Sequence, residues 1–466
     1  MPTERPDGVS PAANPGPRSS RWLIVLVAVT LALRITIQMV RVDDLRTDPD
    51  AYVAHAVTLQ DSGRFAVPGT DRPTAFRPPA YPVLLATFLC LGCSTTVAVA
   101  VINLLASVAM VIGTWWLARV IGLRGLWPTL CGALVVFDPL LLRYAALPMT
   151  ETVAGGFLTI GLLLALKGIS EEQDPTPRWK SAVASGFCFG IGGLTRPILL
   201  IACAALSAGL LLHWWRRRPQ CAVSTRASLC AVFLPALVAG AVLSLWVTRN
   251  AVQFGHFVPA TTHGGYTLLL GNNPVFYRDV VNGDSRVWGD ASLRQWQHDI
   301  EAQLTADGIA TTDECGRDAT LYEWASAAIK EDPTSFRRAC LLRWRRFWAV
   351  RPESTSDGST GIAGWITSVW YVLVFAGLIV AVAAMLIRRD SRLLLVFLPI
   401  PAFFAMHTVY WTNARMRAPL SAVIAILSAY GWRLVVQRRS SRDQHDSTAA
   451  GQNHTRTDLN SGGIST

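Results

Sequence analysis

The chain has 466 residues, of which 51% are hydrophobic and only 16% charged, with 17 tryptophans and a formal net charge of +11. Such a balance excludes an ordinary soluble domain and points to a polytopic membrane protein. The positive charge does not argue for a nucleic-acid partner, because the basic residues gather in short loops between apolar runs.

Residues 1–21 are rich in Pro, Gly and Ser and predict a disordered tail on the cytoplasmic side. The apolar run 22–40 is too long for a signal-peptide core and predicts a retained anchor. About 20 apolar residues cross the hydrocarbon layer. By that measure further spans fall at 96–118, 126–146, 149–167, 181–195, 197–214, 227–248, 362–387, 393–411 and 418–436. The expectation is an all-α polytopic membrane protein with about ten transmembrane helices. The run 80–92 is too short to be a span and predicts a short interfacial helix in the outer leaflet. Loop arginines and lysines, such as Arg119, Arg124, Lys167 and Arg388, predict that both chain ends face the cytoplasm.

Residues 22–248 then form an N-terminal transmembrane core with a first outer loop at 41–80. Residues 249–361 form an outer loop domain, mixed but mainly helical. Residues 362–436 complete the membrane part, and 437–466 predict a second disordered cytoplasmic tail. Within the outer domain, Leu293, Trp296, Ile300 and Leu304 recur at helical spacing, with Gly308 as a stop. A second helix is expected over 313–330. The segment 333–350 reads as a basic amphipathic helix, with Phe336, Cys340, Trp344, Phe347 and Trp348 on one side and Arg338, Arg345 and Arg346 on the other. Cys315 and Cys340 share this domain and could pair. No Cys/His metal spacing is present, and no cofactor is implied.

The polar residues around the outer ends of the spans each carry two readings. In RTDPDAYV, Asp48 before Pro49 suits an N-cap, and Asp50 suits the first helical turn. Either carboxylate could instead act as a general base. In FRPPAYP, Arg77 and Tyr81 are polar anchors beside the same loop. In MTET, Thr150 suits a cap and Glu151 a first turn, yet a carboxylate facing a helix bundle is costly unless used. Asp138 needs a partner, and Arg143 is within reach. Arg34 and Arg196 could snorkel to headgroups. Arg249 closes one span, and Arg415 and Arg417 open the last. Arginine is the side chain suited to phosphate. HGGYTLLLGNNP, 263–274, offers glycines for close approach and Asn272 as a hydrogen-bonding amide.

Taken in order, D-x-x-x-Y at 48–52, G-R-F at 63–65, PPAYP at 78–82, MTET at 149–152, GLTRP at 193–197, RN at 249–250, GNNP at 271–274 and R-x-R-x-P at 415–419 resemble the C-type glycosyltransferases. The resemblance is to bacterial members of glycosyltransferase family 39, the dolichyl-phosphate-mannose–protein mannosyltransferase-like proteins, and to the lipid A aminoarabinose transferases. It implies inverting transfer from a polyprenyl-phosphate sugar donor to a lipid, glycan or protein acceptor, at the outer face of the cytoplasmic membrane. It maps the catalytic acid to Asp48, with Asp50 as the alternative, and a second acid to Glu151. Arg196, Arg415 and Arg417 become donor-phosphate contacts. No metal is implied. The rival functions for such a sequence are a polytopic transporter or lipid flippase, and a non-catalytic membrane scaffold.

Overall fold

A computed structural model describes residues 17–169, 178–217, 225–283, 288–351 and 361–438. The bulk of the two expected tails lies outside the described residues. The chain is a multi-pass helical membrane protein, and eight of the described helices are long and apolar enough to cross a bilayer. They are Ser20–Val40 within α1 (Pro17–Val40), α4 (Thr95–Val120), α7 (Glu151–Gly168), Ile198–Arg216 within α9 (Ile198–Arg217), Val232–Phe254 within α10 (Thr225–Phe254), α16 (Ile362–Arg388), Ser391–Val409 and Ala414–Arg438.

Three of the ten expected spans depart from a simple crossing helix. The run 126–146 is divided into α5 (Trp127–Val136) and α6 (Pro139–Tyr144). Proline at 139 pushes Asp138 into an extended conformation, and the Asp138 carboxylate accepts from the amides of Leu140 and Leu141, both at 3.0 Å. The run 181–195 forms α8 (Arg178–Thr195), but its polar residues and glycines keep it below the hydropathy of a typical span. Those glycines serve packing. A Cβ at Gly186 would lie 2.6 Å from Val238 on α10, so only glycine allows the two backbones this close. The span expected at 393–411 is likewise jointed, as α17 (Ser391–Phe397) and α18 (Pro399–Val409).

Two helices form the centre. α7 and the segment Ala414–Arg438 are each far more buried than the other crossing helices. The second begins as a 3-10 turn, Ala414–Leu420, which lies against α7 close to Gly155. The polar residues at the start of both helices are therefore brought together. At the opposite end of the bundle, Arg433 donates to the carbonyl of Gly122 at 3.2 Å.

The first outer segment holds α2 (Tyr52–Ser62) and α3 (Ala80–Cys90). α3 is the short helix expected at 80–92, and it buries Tyr81, Leu85 and Leu89. Beyond the membrane helices, α11 (Gly264–Gly271), α12 (Pro274–Phe276), α13 (Asp290–Ala306), α14 (Glu314–Glu331) and α15 (Pro333–Phe347) pack on one apolar core. Trp296, Ile300 and Leu304 are buried as their spacing predicts. Gly265 permits close contact between α11 and α14, since a Cβ there would meet the Asp318 carbonyl at 2.2 Å.

α15 forms where expected, with Arg338 and Arg345 exposed, but not all of its arginines face outward. Arg343 and Arg346 are buried, whereas Leu341 and Trp344 are exposed. Arg343 donates to the Gly271 carbonyl, to Asn272 Oδ1 at 2.8 Å and to the Thr408 carbonyl at 2.9 Å. These polar contacts turn Arg343 inward, against the apolar pattern. Cys315 and Cys340 are both free.

Candidate active site

The acids flanking Pro49 occupy different environments. Asp48 Oδ1 accepts from the Val53 amide at 3.2 Å, and Oδ2 from the Ala54 amide at 2.8 Å. It therefore ties down the start of α2 from outside the helix rather than as its N-cap, because α2 starts only at Tyr52 and Pro49 is not its first residue. The residue between Asp50 and Tyr52 is Ala51, in the left-handed region at φ 58°. That bend takes Asp50 out of the first turn and aims it toward the membrane helices. Asp50 Oδ2 accepts from Arg415 Nη2 at 2.7 Å, and Oδ1 faces Arg77 Nη2 at 3.5 Å.

Glu151, at the first residue of α7, has no exposure. Its Oε1 accepts from Arg415 Nε and from Arg196 Nη1, the latter at 2.6 Å. Its Oε2 has no partner among the described residues. Thr150 does not cap α7; its hydroxyl instead lies 3.3 Å from Arg196 Nη1. Arg415 thus bridges carboxylates 101 positions apart in the chain, between residues 50 and 151. Burial alone would raise the pKa of Asp50, but Arg415 and Arg77 outweigh it and hold the carboxyl below the ordinary range.

Several donors in this cluster are poorly satisfied. Arg196 Nη2 points at Met416 Sδ, 3.1 Å away, and a thioether is a weak acceptor. Arg77 Nε has no partner among the described residues. The Arg415 guanidinium lies 5.7 Å from the centre of the Tyr144 ring. Tyr81 is fully buried with its ring edge-on to Tyr52 at 5.4 Å. The backbone leading into Glu151 is fixed from two other helices. Asn103 donates to the carbonyls of Ala145 and Leu147 at 3.2 and 2.8 Å, and Gln38 to Ala145 at 3.0 Å.

Of the residues singled out in the sequence, the structure brings together Asp50, Glu151, Arg77, Arg196 and Arg415, with Tyr81 behind Tyr52 and Asp48 at the adjoining start of α2. Arg249, Asn272 and Arg417 make framework contacts instead. Arg249 donates to the carbonyls of Thr74 and Phe65 at 2.8 and 2.6 Å. Asn272 is buried, accepts from Arg343 and donates to Val409. Arg417 is buried over the Tyr371 ring at 4.4 Å and donates to the carbonyls of Phe347 and Ala349. Arg34 does not snorkel; it is buried and donates to the Val135 carbonyl at 3.4 Å. Asp138 pairs with the Tyr371 hydroxyl at 3.1 Å rather than with Arg143, which is exposed. Tyr144 and Met416 join the cluster without any sequence signal, since each looks like an ordinary apolar position.

This polar cluster, at one end of a helical bundle and beside an extramembrane helical unit, sits in a fold similar to that of solved oligosaccharyltransferase structures. No family model matches the chain, and no curated protein does. Among solved structures, the oligosaccharyltransferase AglB from Archaeoglobus fulgidus, in complex with an inhibitory peptide and a dolichol-phosphate, is similar with a TM-score of 0.55 at 13% identity. The match covers 93% of this chain and 52% of that one. Its apo form matches with the same score over 92% and 52%. ArnT from Cupriavidus metallidurans, bound to undecaprenyl phosphate, gives a TM-score of 0.41 at 14% identity over 89% and 78%. The chain spans about half the length of the oligosaccharyltransferase it resembles, and at this identity the likeness is one of fold.

Proposed function

We propose that this protein is a membrane glycosyltransferase. It moves a sugar from a polyprenyl-phosphate carrier to an acceptor hydroxyl at the non-cytoplasmic face of the cytoplasmic membrane, with inversion at the anomeric carbon. The observation that carries the reading is the bridge of Arg415 between Asp50 and Glu151, with Arg77 and Arg196 beside it.

The chemistry follows from what each group can do. An acceptor hydroxyl is a weak nucleophile, so a carboxylate takes its proton as the new bond to the anomeric carbon forms. The bond from that carbon to the phosphate oxygen breaks, and its electron pair leaves with the lipid phosphate. Arginines offset the charge that develops there. Arg196 is suited to this, because a phosphate oxygen is a far better acceptor than the Met416 thioether it now faces.

Asp50 is the better base on this geometry, although the sequence resemblance points first to Asp48. The oxygens of Asp48 are engaged by backbone amides of its own segment. Those of Asp50 are held by side chains for which a phosphate competes. Donor binding at Arg415 and Arg77 thus weakens the grip on Asp50 and restores its basicity. Glu151 keeps Arg196 and Arg415 in position and balances their charge.

The test is mass spectrometry of lipid-linked sugars in cells with the wild-type gene, with Asp50→Asn, and with the gene deleted. A carrier-linked donor accumulates on deletion, and to the same extent with Asp50→Asn at equal expression. An unchanged donor pool on deletion would overturn the enzyme class in favour of a transporter or scaffold. Accumulation on deletion but not with Asp50→Asn would overturn the choice of base.

A further inference from the structure

Next to the acid–arginine cluster lies a set of aromatic side chains that none of the chemistry above uses. Its placement begins with backbone contacts. The Thr262 amide donates to the Ala75 carbonyl at 3.0 Å. The Ala75 amide donates to Glu314 Oε1 at 2.8 Å, and the Thr262 hydroxyl donates to the same oxygen. Glu314, at the start of α14, therefore holds two chain segments side by side, and the next residue of each is Phe76 and His263. Their rings meet at 4.4 Å between centroids. One turn further on, Tyr266 stacks on His263 at 5.1 Å, and Gln297 fixes its hydroxyl at 2.7 Å.

This platform adjoins the site rather than lying apart from it. The Arg77 guanidinium sits 5.1 Å from the centre of the Phe76 ring while reaching toward Asp50. Phe76 is 37% exposed, a large fraction for an aromatic ring held so firmly. His263 Nδ1 is sealed from solvent with no partner among the described residues. An unpartnered N–H in that place would cost more than an unpartnered lone pair, so the ring proton belongs on Nε2. Burial and the nearby Arg77 charge push the His263 pKa down to about 3, so the ring is neutral.

We propose that Phe76, His263 and Tyr266 form the acceptor subsite, and that the acceptor is a saccharide. The inference rests on the glycosyltransferase reading above and narrows its acceptor. A pyranose ring shows an apolar face of C–H groups and a rim of hydroxyls. Aromatic faces match the first, and a neutral imidazole N–H matches the second. The ring bound there presents a hydroxyl toward Asp50 beside Arg77. A phosphorylated acceptor would be drawn to the arginines instead, and an extended peptide would gain little from a rigid ring platform.

The test uses the full chain in lipid nanodiscs loaded with polyprenyl phosphate. Saturation-transfer NMR is recorded with a panel of methyl glycosides and, separately, with a serine- and threonine-containing peptide. Transfer to the ring protons of at least one glycoside is expected, with at least a tenfold loss of affinity in Phe76→Ala and in His263→Ala. Polyprenyl phosphate binding by both variants stays within twofold of wild type. Phe76→Leu, which keeps apolar volume without a ring face, replaces Phe76→Ala if the latter fails to fold. Transfer to the peptide alone, to no glycoside, or to a glycoside whose binding survives both substitutions overturns the proposal. The two readings fail separately. Loss of saccharide binding to the platform leaves the Asp50→Asn result standing, whereas full sugar transfer by Asp50→Asn removes the base without touching the platform.

Discussion

Asp48, Asp50 and Glu151 call for three different responses to the loss of one charge. Asp50→Asn removes the proposed base and one counter-charge of Arg415 from a partly open position; sugar transfer should fall by about 100-fold or more, with a smaller drop in melting temperature than Glu151→Gln gives. Asp48→Asn keeps one acceptor oxygen for α2 and should cost at most about 1 kcal/mol of stability while transfer survives. Glu151→Gln leaves two buried guanidiniums short of a counter-charge, a loss of about 3–5 kcal/mol, visible as a lowered melting temperature. Purified variants compared by thermal unfolding and by transfer assay separate the three.

The pH response of Asp50 follows from the sign of its shift. Its folded-state pKa is depressed, so its ion pair contributes stability above the unfolded value of about 4, and that contribution is lost only as pH falls through the folded value. In the free enzyme, read from kcat/KM for the donor, Asp50 should therefore give no acid limb between pH 5 and 8, and a limb at pH 6–7 in that parameter would remove Asp50 from the role. Choosing between Asp48 and Asp50 lay beyond sequence reading, because both sit at plausible capping positions. The feature that favours Asp50 is the left-handed backbone at Ala51, a residue that seldom adopts it.

At the scale of elements, the helices were legible wherever length and hydropathy agree. The runs 22–40, 96–118 and 362–387 appear as α1, α4 and α16 within a few residues at most boundaries. The division of 126–146 was written in Asp138-Pro139, but an apolar run on both sides hides it. The inward turn of Arg343 on α15 was hidden for a different reason. Arg343 satisfies carbonyls and an amide from distant segments, and helical periodicity carries no information about such partners. Arg343→Met tests that account. It strips a donor from the Gly271 and Thr408 carbonyls and from Asn272, and should cost about 2–4 kcal/mol, read as a drop in melting temperature. A change under about 0.5 kcal/mol would mean that Arg343 is not the bolt between α11, α15 and α18.

For the whole molecule, the central fact is convergence. Residues 50, 77, 151, 196 and 415 meet at one end of the bundle, while Gly122 and Arg433 meet at the other. Topology made the first grouping legible, since loop charge placed those segments on one face; it could not say which arginines turn inward. In a background without native cysteines, single cysteines at Thr47, Arg143 and Phe257 should react with an impermeant maleimide added outside. A cysteine at Leu126 should react only after permeabilisation. Any of the first three reacting only from the inside would break the common cleft.

The extramembrane helices also grip the loop that supplies Arg77. Arg72 donates to the Thr311 carbonyl at 3.1 Å, and Glu314 receives the Ala75 amide. A binder directed at the outer surface of α14 therefore has leverage on the chemistry without entering the cleft. If the proposed chemistry holds, tilting that helix by a small angle should pull the Arg77 guanidinium away from Asp50, so that inhibition could be applied at a distance from the domain exterior.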